Sequence, residues 1–308
     1  MINNKIVVLL AAYNGKAYIK EQIDSILNQE DIDVTIFISV DLSSDGTREW
    51  LESSYGEYLQ IMILDDVGRF GGAAKNFYRL IRDVDFAPYD FIAFADQDDI
   101  WYEEKLSRAV QQLQERQCDG YSSNVLAFWE DGREKLISKA QPQCRYDYLF
   151  ESGGPGCTYV MKRSLALQIK KKIITHWQDV NKLDFHDWYF YAFARANGFK
   201  WVIDETPSMM YRQHAHNQVG ANSGWRAFVY RCKKIFTGWG ISESLRIAVL
   251  IGMENNKFVK LWSGFGRFDF LRLALYANQC RRKNKEKIFF LFACIIMAII
   301  GITKEGKK

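Results

Sequence analysis

The sequence predicts an α/β protein with a mostly parallel central sheet covered by helices on both faces. Two observations lead there. Continuous apolar runs of strand length alternate with amphipathic helical stretches through the first half of the chain. The polar signatures also fall where those runs end, and ligands bind beyond the carboxyl ends of strands in such sheets.

The elements follow in order. IVVLLAAY (6–13) reads as a buried strand, followed by Asn14-Gly15 and a helical stretch to about residue 29. VTIFISV (34–40) is a second β-branched run, and Gly46-Thr47 opens a short helix that Asp45 is placed to cap. IMIL (61–64) is the third strand, with a helix over about 73–82. FIAFA (91–95) is the fourth, with a helix over about 103–116. The second half is less regular. Strand-like segments at 119–129 and 156–161 flank the loop Gly153-Gly154-Pro155-Gly156, where backbone can approach a ligand closely. A helix over 186–197 stops at Gly198, and WVID (201–204) reads as a short strand.

The chain of 308 residues, 48% of them apolar, can hold one large α/β domain and an appendage. Cys118, Cys144, Cys157, Cys232, Cys280 and Cys294 show neither CxxC pairing nor metal-ligand spacing, and no signal peptide precedes the first strand. Free thiols and a cytoplasmic location are expected. The net charge of +4 conceals an asymmetry: residues 221–308 hold 17 Lys/Arg against 5 Asp/Glu, so residues 1–220 are net acidic. A basic tail on an acidic body is suited to an anionic surface. It carries no nucleic-acid-binding motif, so nucleic acid is not an expected partner.

The densest chemical signal is DQDDIW (96–101). Asp96, Asp98 and Asp99 leave a buried strand together, and three carboxylates exceed what a helix cap requires. A divalent cation holding a diphosphate is the natural resident.

Taken in order, AAYNG (11–15), DLSSDGT (41–47), GRFGGAAKNF (68–77), DQDDIW (96–101), HDW (186–188) and YRQHAHNQVG (211–220) resemble glycosyltransferase family 2, over residues 5 to about 220. Within that family the chain is most similar to bacterial rhamnosyltransferases that build O-antigen and related surface polysaccharides. The resemblance implies the GT-A fold for residues 1–220, inversion at the anomeric carbon, and a nucleotide-diphospho-sugar donor, dTDP-rhamnose before a UDP-hexose or UDP-N-acetylhexosamine. A nucleotide-sugar-binding protein without catalysis is the alternative from another class. The resemblance further implies that Ala12, Tyr13 and Asn14 line the nucleotide and that Asp41 accepts from its base, although Asp41 lacks the second aspartate many members carry beside it. Gly71, Gly72, Lys75 and Asn76 approach the donor, with Arg69 facing the diphosphate. Asp96 contacts ribose or the metal's water, and Asp98 ligates Mg²⁺ or Mn²⁺, joined by His214. Asp99 and Trp101 support that site.

Asp187 is the expected catalytic base, with Asp184 the competing carboxylate. His186 orients it and Trp188 offers a flat face to a sugar. Gly154 and its neighbours shape the floor where donor meets acceptor. Cys157 is not expected to act as a nucleophile, because no partnering histidine is identifiable.

Residues 221–308 are expected to form a helical, basic, membrane-associating region. RRKNKEK (281–287) precedes a 15-residue apolar run (288–302), shorter than the roughly 20 residues that cross a bilayer. FVYRCKKIF (228–236) and FGRFDFLRLALY (265–276) mix aromatics with basic residues as interfacial helices do. The expected setting is peripheral or monotopic, at an anionic inner membrane face, beside a polyprenyl-diphosphate-linked glycan acceptor. An apolar helix that instead covers the core or a partner in a homodimer stays open.

Overall fold

The computed structural model describes residues 4–214 and 237–301. A seven-stranded sheet forms the centre, built from β1 (Asn4–Ala12), β2 (Ile32–Val40), β3 (Ile61–Ile63), β4 (Phe91–Ala95), β6 (Gly120–Ser123), β9 (Val160–Lys162) and β10 (Trp201–Asp204). Its order is β10-β6-β9-β4-β1-β2-β3, parallel except for β9, which runs against both β4 and β6. A second sheet, in the order β5-β11-β7-β8, combines β5 (Ile100–Trp101), β7 (Val125–Trp129), β8 (Glu134–Ile137) and β11 (Met209–Gln213). The expected strand over 119–129 is therefore two strands, which leave one sheet for the other at Asn124.

Strand β1 shows why its run is apolar throughout. Val7, Leu9 and Ala11 enter one core, while Ile6, Val8, Leu10 and Ala12 enter the other. The second core takes α1 (Ile19–Leu27), α2 (Thr47–Tyr55) and α4 (Lys105–Glu115). The first takes α3 (Ala73–Asp83), α5 (Arg163–Thr175) and α7 (His186–Ala196). Helix α5 is followed by a short α6 (Trp177–Val180).

The C-terminal helices do not form a detached appendage. These are α8 (Trp239–Leu250), α9 (Lys257–Lys260), α10 (Arg267–Ala274), α11 (Ala277–Cys280) and α12 (Asn284–Ile300). Ile241, Phe258, Trp262 and Phe270 share the first core with Tyr148, Phe150 and Trp188. Arg282 is buried and ion-paired to Asp147 at 2.9 Å and Glu151 at 3.5 Å. Among the described residues, no helix is long and apolar enough to cross a membrane. Residues 215–220 and 228–236, singled out in the sequence, lie outside the described residues, as does Cys232.

Candidate active site

The carboxyl ends of β1, β2 and β4 meet at one edge of the sheet, and side chains lock their loops together. Asp41 N donates to Ala12 O at 2.8 Å, and buried Asn76 ties Ala12 O and Ser39 O from below. Asn14 accepts from Ser44 N through Oδ1 at 2.8 Å, while its own N–H reaches Ser43 Oγ. Gln97 clasps the Tyr13 backbone with both ends of its amide, at 2.6 and 2.8 Å. That clasp leaves no room for a Cβ on Gly15, which would strike the Gln97 amide. The Tyr13 side chain is left 52% exposed, open for a ring to stack on it.

Asp41 is nearly buried and already employed. Its Oδ1 accepts from Leu42 N and Phe70 N at 2.8 and 2.7 Å, and its Oδ2 accepts from Gly71 N at 2.8 Å. A base that reaches Asp41 shares it with these amides. Arg69 is exposed on the same loop, and Lys75 is half-buried in the first turn of α3. Asp45 accepts from Thr47 N at 3.0 Å from just before the helix, whose N-cap position is taken by Gly46 and not by the expected Asp45.

The three aspartates of DQDD divide into an outer and an inner group. Asp98 Oδ2 lies 2.7 Å from His214 Nε2, and both side chains are 11% exposed. His214 in turn stacks on Tyr18, at 5.1 Å between ring centroids. Asp96, Asp99 and Cys157 form the inner group, with ligand atoms within 4.8 Å of one another. Burial and the Asp98 charge push Asp96 up to about 7, and burial drives the Cys157 thiol well above its ordinary value. Lys105 is the cationic group beside them, although burial lowers it to about 7. Fully buried, it donates to Cys157 O at 2.6 Å and lies 3.3 Å from the centroid of the Trp101 ring. A cavity that already holds an ammonium and a protonated thiol suits a divalent cation poorly. Asp98 and His214, a carboxylate and an imidazole at the mouth, provide the fitting donors for Mg²⁺ or Mn²⁺.

Arg212 fastens the histidine-bearing strand to this turn. Its N–H donates to Asp99 Oδ1 at 3.0 Å and its Nε to Asp98 O at 2.8 Å. The guanidinium also pairs with Glu21.

Asp187 approaches from the opposite side, in the first turn of α7. Burial raises its carboxyl to about 6, and its charge adds to those that raise Asp96. Asp187 accepts from Trp188 N at 2.8 Å, and the nearby Ser152 hydroxyl donates to Gly154 O at 3.0 Å within the adjoining loop. Tyr159 OH bridges the two pieces, donating to Asp187 O and accepting from Gly153 N. Gly156 packs so tightly on His186 and Asp187 that any Cβ there would clash with the imidazole. Asp184 is exposed and accepts from the Trp239 indole at 2.6 Å, occupied outside this cluster.

Two expectations are corrected. Trp188 is 8% exposed, with its indole N–H bonded to Tyr148 O at 3.0 Å, so it belongs to the core and offers no face to a sugar. His186 sits against Phe77 at 4.1 Å between centroids, and burial lowers it to about 3. It is a neutral packing residue and makes no contact that would orient the Asp187 carboxylate. Gln97, Lys105, Ser152 and Arg212 are the site residues that the sequence reading missed. Gln97, inside DQDDIW, and Arg212, inside YRQH, carried a positional signal.

A mostly parallel sheet whose carboxyl edge gathers the exposed Tyr13, Asp41 and the Asp98–His214 pair, with Asp187 nearby, has the arrangement of a transferase of GT-A type. The model of Glycosyl transferase family 2 matches residues 7–167. The chain is 44% identical over 288 residues to dTDP-rhamnosyl transferase RfbG of Shigella flexneri, covering 93% of this chain and 99% of that protein. It therefore belongs to glycosyl transferase family 2 and is an enzyme of that class. The fold matches S. aureus TarS in complex with UDP, with a TM-score of 0.56 and 16% identity over 96% of this chain and 81% of that one. It also matches the mannosyltransferase PcManGT of Pyrobaculum calidifontis in complex with GDP-Man and Mn²⁺, with a TM-score of 0.51 and 14% identity over 96% and 87%.

Proposed function

We propose that this enzyme transfers L-rhamnose from dTDP-rhamnose to a hydroxyl of a lipid-linked surface glycan, with inversion and with Mg²⁺ or Mn²⁺. The observation that carries the chemistry is the convergence of Asp187 and the Asp98–His214 pair on one sheet edge, with Asp96 between them. The sugar rests on the 44% identity to the rhamnosyl transferase over nearly the whole of both chains.

The donor base lies on Tyr13, with Asn14 and Asp41 at its edge and Arg69 and Lys75 toward the diphosphate. Asp96 faces the ribose and Gly154 the sugar. Asp98 and His214 hold the cation, which when bound neutralises charge on the departing diphosphate. Asp187 takes the proton from the acceptor hydroxyl as its oxygen bonds to the anomeric carbon. The bond from that carbon to the phosphate oxygen breaks, and dTDP leaves with the electron pair. Asp99 braces the cation-holding turn through Arg212 and needs no substrate contact.

Purified enzyme is tested with a panel of dTDP- and UDP-sugars and either cation, beside Asp98→Ala and Asp187→Asn. Turnover of dTDP-rhamnose that both variants lose supports the reading. Turnover of a UDP-hexose alone overturns the sugar and leaves the mechanism. Binding without turnover of any donor, with lipid-linked acceptor present, overturns catalysis.

A further inference from the structure

The basic segment that opens α12 is divided by role. Arg281 pairs with Glu286, and Arg282 is spent on Asp147 and Glu151. Lys283, Lys285 and Lys287 form no ion pair among the described residues. These three line a cleft of about 510 Å³, closed on its other side by Gln141, Gln143 and Cys144. Three cations left without partners around one recess are suited to a multiply charged anion.

The same helix then becomes apolar on its outer side. Ala293, Cys294, Met297 and Ala298 pack inward, while Ile288, Phe292, Ile299 and Ile300 are each more than half exposed. Helix α10 packs alongside α12 and adds Phe268 and Leu275, exposed by 76% and 82%. So large an exposed apolar surface marks a contact face. At 17 residues α12 is about 25 Å long, too short to cross a bilayer.

The cleft is also wired to the acceptor side of the active site. Arg282, which borders it, donates to Ser152 O at 2.7 Å, in the loop whose Gly153 N–H is joined to Asp187 O through Tyr159 OH.

We propose that this cleft binds the phosphate head of a diphosphate-bearing prenyl lipid, whose chain runs along the exposed face of α12. An anionic head continuous with a long apolar tail matches both halves of the surface in their observed order. The inference rests on the lipid-linked acceptor proposed above and adds the place where that acceptor docks. It also orients the molecule, with Asp187 turned toward the glycan end of the lipid.

Full-length protein is tested by sedimentation with phosphatidylcholine vesicles carrying either undecaprenyl diphosphate or phosphatidylglycerol at matched surface charge. Inorganic pyrophosphate serves as a competitor. Wild type is expected to prefer the prenyl diphosphate vesicles. The Lys283→Gln/Lys285→Gln/Lys287→Gln variant is expected to bind them on the order of 100-fold more weakly, about fivefold per charge. Phe292→Ser is expected to weaken vesicle binding without changing pyrophosphate binding.

Equal binding to charge-matched phosphatidylglycerol would overturn the subsite in favour of a general anionic surface. Pyrophosphate binding as tight as vesicle binding would reduce it to a free-phosphate site, and an unaffected lysine variant would overturn it outright. Donor turnover by the same wild-type preparation is measured without lipid. Failure of lipid binding beside intact turnover rejects this docking site alone, and lost turnover beside intact lipid binding rejects the transferase reading alone.

Discussion

His214 Nε2 stands 2.7 Å from Asp98 Oδ2, although 116 residues separate them in sequence. Two elements bring them together. The turn after β4 presents Asp98, and Arg212 bonds that turn to β11, two residues before the histidine. Such a carboxylate–imidazole pair can open to admit a cation between its members. Asp98→Ala is expected to abolish turnover at any cation concentration. His214→Ala is expected to keep turnover but raise the Mn²⁺ requirement by roughly 10–100-fold, the range typical of a lost metal-site partner. A Mn²⁺ titration of donor turnover checks both.

Asp187 carries its own pH signature. Burial raises its carboxyl to about 6, and a base works only when deprotonated, so turnover is expected to climb through pH 6 and level above it. Asp187→Asn is expected to lower kcat by about 10²–10⁴-fold. Stability runs the opposite way. A carboxyl raised on folding favours the folded state at low pH, and that contribution is lost as pH rises from its unfolded value near 4 through 6. Asp187→Asn removes the buried charge, so it is expected to stabilise the protein at pH 8 by on the order of 2 kcal/mol and much less at pH 4. Urea unfolding at the two pH values measures the difference.

Lys105 shows what a linear sequence conceals. In EEKL it reads as a solvated helix lysine, yet it is fully buried beneath the DQDD turn, held by the Cys157 carbonyl and the Trp101 ring. Lys105→Met leaves that carbonyl unpaired and Asp96 and Asp99 without their nearest compensating charge. It is expected to destabilise by about 1–3 kcal/mol. Because the Cys157 carbonyl belongs to the loop that carries Gly154, the donor KM is expected to rise as well. Trp101→Phe keeps an aromatic face for the ammonium and is expected to do less on both counts.

The contrast between legible and hidden elements has a common physical cause. Strands β1, β2 and β4 are buried on both faces, so their apolar runs and the polar residues at their ends stood out. Helix α5 carries three consecutive lysines, and β8 is mostly exposed, so neither has a strong period to read. The pairing of β11 with β5 and β7 is set by long-range register, which no local pattern encodes. The site divides likewise. Asp96 and Asp98 stood out because clustered carboxylates are unusual at the end of a buried strand, whereas Asp187 and His214 were singled out through the family resemblance. Gln97 acts through the Tyr13 backbone and Ser152 through its loop, and even inside DQDD a common polar residue gives no cue to such a role. Trp188 misled because an aromatic beside a catalytic carboxylate resembles a sugar platform, while its burial depends on where α7 packs.

Arg282 tests whether the C-terminal helices are structural to the catalytic body. Its guanidinium is buried, paired to Asp147 and Glu151, and bonded to the carbonyl of Ser152. Asp147 also accepts from Tyr191 and Arg195, so one buried network joins α12 to α7, the helix that bears Asp187. Arg282→Met removes the cation, takes Glu151 out of its ion pair and leaves buried Asp147 with Arg195 and Tyr191 alone, a change expected to cost about 3–5 kcal/mol. A dockable but separable tail would tolerate it. The milder Arg282→Lys keeps the charge but loses the forked geometry, so it is expected to fold and yet lower kcat through a displaced Ser152. Thermal unfolding of both variants, with kcat and donor KM for the lysine form, decides the matter. Near-wild-type stability in the methionine form would show the tail to be an independent unit.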